Sequence, residues 1–254
     1  ASASDYNTTL ACTGGTTLSS GAVGRSMTIS NSGTPTTCTY TNTRKSATFR
    51  LAKAWGANSI SGNVANIGAT TGLINNTSAL TSTASTNTNG TAVTVYAGET
   101  VTLPAETMST GTLSNYNTVL SCTADSGATA NSLSGTNGQN SNTLTIGAGD
   151  EGKVITCTYT NTRITQSLSL AKQWTNAANG HTATVTTTGG TNNATVNSTS
   201  TGNNLTTGTA VTVYAGDVVT LPAETFGGGA SASDYNTTLA CTGGTTLSSG
   251  AVGR

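Results

Sequence analysis

The sequence predicts an all-β fold built in tandem copies, on three observations. Short apolar runs alternate with period two, as in Thr91-Ala-Val-Thr-Val-Tyr96 and Ser167-Leu-Ser-Leu-Ala-Lys172, the signature of half-buried strands. The same marker motifs return along the chain in the same order. The 254 residues suffice for two ordinary domains, each with a buried core. Only 7% of residues are charged and 4% aromatic, a composition that on its own reads as a disordered tract; the regular alternation argues for strands instead.

Residues Ala1 to Arg25 recur without a change at Ala230 to Arg254, an offset of 229 residues. A shorter, imperfect period lies inside it. TAVTVYAGETVTLPAET at Thr91–Thr107 returns as TAVTVYAGDVVTLPAET at Thr209–Thr225, and TCTYTNTR ends at Arg44 and again at Arg163. Each unit thus runs in the order LAK-x-W, TVYAG, LPAET, a Tyr-Asn segment with a cysteine, and TCTYTNTR. Residues 1–45 read as the C-terminal part of one repeat domain, 46–163 as a complete β-sandwich domain, and 164–254 as the N-terminal part of the next. The sequence therefore reads as a segment of a longer tandem array, with its export and anchoring signals elsewhere. Arg163-Ile164-Thr165 is expected to be a short, stiff linker.

The five cysteines fall into this frame. Each unit has one after its Tyr-Asn segment and one in its final strand, so the expected disulfides are Cys12–Cys38 and Cys122–Cys157, with Cys241, the repeat of Cys12, paired outside this segment. Loops of this size are worth roughly 3–4 kcal/mol on the chain-entropy estimate. Free thiols or a metal site are the alternatives, but no CxxC pair occurs and His181 is the sole histidine, so zinc has too few ligands. Disulfides imply an oxidising compartment.

The first strand of each unit carries the most informative pattern. Phe49, Leu51, Lys53 and Trp55 share one parity, as do Leu168, Leu170, Lys172 and Trp174, which puts a lysine on the apolar face twice in a chain with four lysines. A buried lysine needs a partner or a lowered pKa. The last strand offers Cys157, Tyr159 and Asn161 on one face, and Cys38, Tyr40 and Asn42 in the repeat; Glu106 and Glu224 lie in the LPAET segments. If lysine, asparagine and glutamate meet in a dry core, a neutral amine attacks the carboxamide while a protonated carboxyl polarises it, leaving an amide crosslink and ammonia. Plain alternation from Leu103, with Pro104 between, points Glu106 away from the core unless a bulge at the proline resets it. A buried Lys–Glu ion pair, or a lysine snorkelling to the rim, is the simpler reading.

The order of a strand-one lysine, a glutamate after a Thr-Leu strand and a terminal aromatic-Thr-Asn-Thr strand resembles the prealbumin-like and CnaB-like β-sandwich repeats of bacterial surface proteins, including SpaA-type pilin modules. The resemblance spans essentially the whole chain. It implies tandem prealbumin-like (Ig-like) β-sandwich domains and an intramolecular isopeptide bond between Lys53 and Asn161, assisted by Glu106. For the second unit it implies that Lys172 and Glu224 act with the copy of Asn42 in a following repeat.

Other signals are weaker. Tyr96 and Tyr214 with Glu99 and Asp217 mark a strand and its turn, the acids expected to be solvated. Asp5, Asp125, Asp150 and Glu151 are too scattered for a calcium loop, although Asp150-Glu151 suits weak binding at a turn. No phosphate loop occurs, and one histidine cannot serve a repeated triad, so neither a cofactor nor catalytic turnover is expected. Nine basic and nine acidic residues cancel, leaving no basic stripe for nucleic acid or an anionic membrane. The expected function is structural: the stalk of a giant adhesin, or a surface or biofilm-matrix filament, outside the cell, with copies of itself as partners. A glycan- or cell-binding module is one alternative, though the loops lack the exposed aromatics it needs. Head-to-tail polymerisation by strand complementation is the other, with the duplicated 25 residues competing for one place.

Overall fold

The computed structural model describes residues 2–18, 24–125, 133–135 and 142–243. The fold is all-β, and by contacts the chain divides into two compact units, Ala1–Leu113 with Thr118–Asn161, and Ser114–Asn117 with Thr162–Arg254.

The first unit opens with β1 (Tyr6–Thr13), β2 (Thr16–Leu18), β3 (Met27–Ile29) and β4 (Thr37–Arg44). β1 and β4 form an antiparallel pair in which Cys12 lies opposite Cys38. A sandwich follows. Its larger sheet runs β13 (Leu133–Gly135), β12 (Tyr116–Ala124), β15 (Val154–Arg163), β5 (Ser46–Trp55) and β8 (Thr88–Asn89), with β9 (Val93–Tyr96) on the first half of β5. The facing layer is made of β11 (Glu106–Thr110), β6 (Val64–Ile67) and β7 (Leu80–Thr83), beside the pair β10 (Thr100–Leu103) and β14 (Asn142–Thr145).

The period-two runs explain the layers. On β5 the odd positions Phe49, Leu51, Lys53 and Trp55 are buried, and on β15 Ile155, Cys157, Tyr159 and Asn161 are buried. Of these, Phe49, Leu51, Ile155, Cys157 and Tyr159 meet Ile67, Leu80, Val101, Leu103, Leu144 and Ile146 from the other layer in one apolar core. The first and last strands, β5 and β15, are parallel neighbours, in register from Thr48 opposite Val154 to Trp55 opposite Asn161. Parallel pairing needs a long crossover, and here nearly the whole domain supplies it.

The second unit repeats the front of this plan. β16 (Thr165–Leu168) and β17 (Ala171–Gln173) stand where β5 stands, paired with β21 (Val211–Tyr214) and β20 (Leu205–Thr207). β18 (Thr182–Thr186) lies between β19 (Thr195–Thr199) and β22 (Thr225–Gly227). Its apolar centre is Trp174, Ala177 and Ala183, with Phe226 and Tyr235 packed on it. Among the described residues no strand takes the place that β15 has in the first unit.

The backbone at residues 163–165 is hydrogen-bonded: the Ile164 N–H donates to Asn115 O, the Ala215 N–H donates to Ile164 O, and Thr165 pairs with Tyr214. One expectation is corrected here: Glu99 and Asp217 are not solvated, since their side chains are 5% and 9% exposed. Gly98 and Gly216, at φ 83° and 85°, turn the chain so that each acid folds back onto its own strand and accepts from the N–H of Tyr96 or Tyr214. An arginine then seals each turn. Arg44 donates to Ala97 O at 2.8 Å and lies over Tyr96; Arg163 donates to Ala215 O at 2.8 Å, pairs with Asp217 at 2.7 Å and lies over Tyr214.

Candidate functional site

Lys53, Glu106 and Asn161 meet at the centre of the first unit. Lys53 Nζ lies 3.2 Å from Glu106 Oε1, with both side chains wholly shielded from solvent. Asn161 Nδ2 donates to the same Oε1 at 2.9 Å. The ammonium also donates to Ala54 O at 3.0 Å and Tyr159 O at 3.2 Å, and sits 4.4 Å from the centroid of the Trp55 ring.

Each side chain is aimed by its strand. Lys53 and Trp55 share the inward face of β5, and the Trp55 indole N–H is anchored on Ser82 Oγ at 3.1 Å. Asn161 is inward on β15, beside β5 in the parallel ladder. Glu106 arrives from the opposite layer, contrary to plain alternation. The reason is a change of layer: β10 ends at Leu103, where it pairs with β14, and β11 begins at Glu106, paired with Ile67 of β6. Pro104 and Ala105 cross between the two ladders, so the parity counted from Leu103 does not survive the crossing. A bulge does occur in β11, between Met108 and Thr110, after the glutamate rather than at the proline. The crossing is itself tied down, since Tyr159 Oη donates to Pro104 O at 2.6 Å.

Burial decides the electrostatics. Desolvation lowers the Lys53 pKa to about 8 even though Glu106 pulls the other way. Burial, and then the Glu106 charge, raises that of Tyr159. An amine with a weakened hold on its proton, a carboxylate to receive it and a carboxamide on the same carboxylate oxygen are the parts that amide formation needs.

The second unit holds two of the three. Lys172 Nζ lies 2.9 and 2.8 Å from the two oxygens of Glu224 and 4.6 Å from the Trp174 centroid, and the Trp174 indole donates to Ser198. Asn42 lies elsewhere, exposed on β4 and accepting from Thr8 Oγ1. The sulfurs of Cys12 and Cys38 are bonded, as are those of Cys122 and Cys157; Cys241 is free and exposed.

Sequence reasoning read the two turns but missed the arginines that seal them and the lysine-on-tryptophan stacks. Both had a signal. Lys-x-Trp places the pair on one strand face, and the arginine that ends TCTYTNTR recurs with the acid of YAG-[ED].

With this geometry in hand, a model of the SpaA-type prealbumin-like fold domain matches residues 56–163 and again 164–253. The chain belongs to this family. No curated protein and no solved structure matches it. The tandem SpaA domains, with their disulfides, fit a structural surface repeat and an extracellular protein. Among the described residues no helix is long and apolar enough to cross a membrane.

Proposed function

We propose that this chain is a load-bearing segment of an extracellular stalk or filament, whose SpaA domain closes itself covalently by joining Lys53 to Asn161. The observation that carries this reading is the dry Lys53–Glu106–Asn161 cluster linking the first strand of the domain to its last. Glu106 takes a proton from the ammonium, and the neutral Nζ attacks Cγ of Asn161. The bond from Cγ to Nδ2 breaks, Glu106 delivers a proton to the departing nitrogen, and ammonia leaves; the carboxylate recovers a proton from the new amide nitrogen. The event happens once per domain, so the protein turns over no substrate.

Tension entering at Ser46 and leaving at Arg163 shears the parallel β5–β15 ladder along its length. A bond between Lys53 and Asn161 carries that load past the rest of the fold. Copies of the same domain are the proposed neighbours along the filament, at a cell surface or in a biofilm matrix.

Intact mass of the purified chain, before and after reduction and alkylation, tests the reading. The expected result is a deficit of one ammonia that survives reduction and disappears in Lys53→Ala and in Glu106→Ala. A full, undiminished mass in the reduced protein would reject the crosslink and leave Lys53 and Glu106 as a buried ion pair.

A further inference from the structure

Tyr159 touches both layers of the first unit at the Lys53 cluster. It lies opposite Lys53 in the parallel β5–β15 ladder, two residues before Asn161 on the same inward face, and is fully buried. Its main chain holds the amine, since Tyr159 O accepts from Lys53 Nζ at 3.2 Å. Its side chain reaches the other layer, where Oη donates to Pro104 O at 2.6 Å.

Pro104 is where the chain leaves the β10 ladder, and Glu106, two residues later, is the first residue of β11. The pyrrolidine ring fixes φ at Pro104, which leaves ψ as its one soft torsion, and that torsion sets where the carbonyl points. A hydrogen bond to this carbonyl therefore fixes the direction in which the chain sets off toward β11. The proline ring also faces Gly68, where an added β-carbon would stand 3.5 Å from Pro104 Cβ. Gly68 follows Ile67, the ladder partner of Glu106, so the crossing is held between β15 and the end of β6. The result is one carboxylate oxygen serving two groups: Glu106 Oε1 lies 3.2 Å from Lys53 Nζ and 2.9 Å from Asn161 Nδ2.

We propose that Tyr159 is a positioning residue for the Lys53–Asn161 reaction, its hydroxyl holding the Pro104 crossing so that Glu106 reaches both the amine and the carboxamide. The proposal rests on the crosslinking read at this cluster and adds to it a residue outside the reacting three. Tyr159 exchanges no proton, because burial, and then the Glu106 charge, raise its pKa and keep the phenol a donor. The bonds made and broken remain those at Nζ, Cγ and Nδ2. Tyr159→Phe leaves the ring in the core and removes this one hydrogen bond, so it separates positioning from packing.

The test uses the 254-residue chain, recovered unfolded and refolded by dilution, with ammonia loss followed by intact mass. Tyr159→Phe should release ammonia roughly 10–100-fold more slowly than wild type, the order expected when a reacting group is misplaced by about 1 Å. Peptide mapping of Cys122 joined to Cys157 checks that the variant folds. The pH profile separates positioning from stability. Desolvation lowers the Lys53 pKa to about 8 and the Glu106 charge opposes it. A carboxylate held less closely opposes it less, so the fall in rate with rising pH should begin at lower pH in Tyr159→Phe. Pro104→Gly loosens the same crossing with the hydroxyl kept, and covers a Tyr159→Phe chain that does not fold. It should show the same slowing and the same shift, and adding Tyr159→Phe to it should slow the reaction no further. A wild-type rate in Tyr159→Phe, a slower rate with the pH dependence unmoved, or additive slowing in the double variant overturns this inference and leaves the proposed function standing. A wild-type chain that keeps its full mass overturns both.

Discussion

Lys53 shows how one side chain can be readable and its partner not. Its inward position follows from counting along β5, because that strand is unbroken from Ser46 to Trp55. Glu106 resisted the same count because the chain changes layer at Pro104. In the proposed reaction a proton passes between the Lys53 amine and the Glu106 carboxyl, 3.2 Å apart. Above about pH 8 the pair loses that proton, and the free amine then has no acid to protonate the departing nitrogen. Ammonia release after refolding should therefore slow as pH rises through about 8, measured by mass over a pH series; a rate that climbs instead would remove Glu106 from the role of proton carrier. In the uncrosslinked Asn161→Ala background, Lys53→Met leaves Glu106 buried without its cation and should cost roughly 3–5 kcal/mol in denaturant midpoint experiments, most of it recovered in Lys53→Met/Glu106→Leu.

At the scale of elements, the β12–β15 disulfide and the sealed turns do separate work. Cys122 and Cys157 close a loop of 35 residues around neighbouring strands of one sheet. Replacing both by serine should cost about 3–4 kcal/mol by the loop-entropy estimate, read from the unfolding midpoint. The Asp217 turn gives a pH signature. Burial pushes its carboxyl up, but the N–H groups of Tyr214 and Thr191, with the Arg163 guanidinium and the Thr191 hydroxyl, outweigh this and hold its pKa below the usual value. A depressed folded pKa contributes stability that is present above the unfolded value near 3.9 and is lost as pH falls toward the folded one. The second unit should accordingly weaken below about pH 4, and Asp217→Asn should flatten that dependence in thermal melts followed between pH 2 and 6. The turns were visible in sequence as YAG-[ED]. Their burial was not, because the sealing arginine is 54 residues from Asp217 in sequence.

At the scale of the whole molecule, the linkage of the first to the last strand determines what pulling does. Without a crosslink, tension that breaks the β5–β15 ladder frees everything between Lys53 and Asn161 that the disulfide does not enclose. With it, the load passes straight through the bond. Single-molecule stretching of the wild-type chain should show no extension step for the 46–163 domain beyond its short ends. Lys53→Ala should restore a step of roughly 250 Å while the disulfide is intact, and roughly 350 Å once it is reduced.

The sequence by itself determined the all-β class, the tandem repeat, the cysteine frame and the inward lysines, because strand periodicity and exact repetition are local properties of the text. Only the tertiary structure decided that Glu106 faces Lys53, that Asn161 shares its carboxylate and that Glu99 and Asp217 are buried. Those facts depend on where the chain crosses between layers and on which distant residue fills the space opposite, and neither is encoded in the spacing of neighbours along one strand.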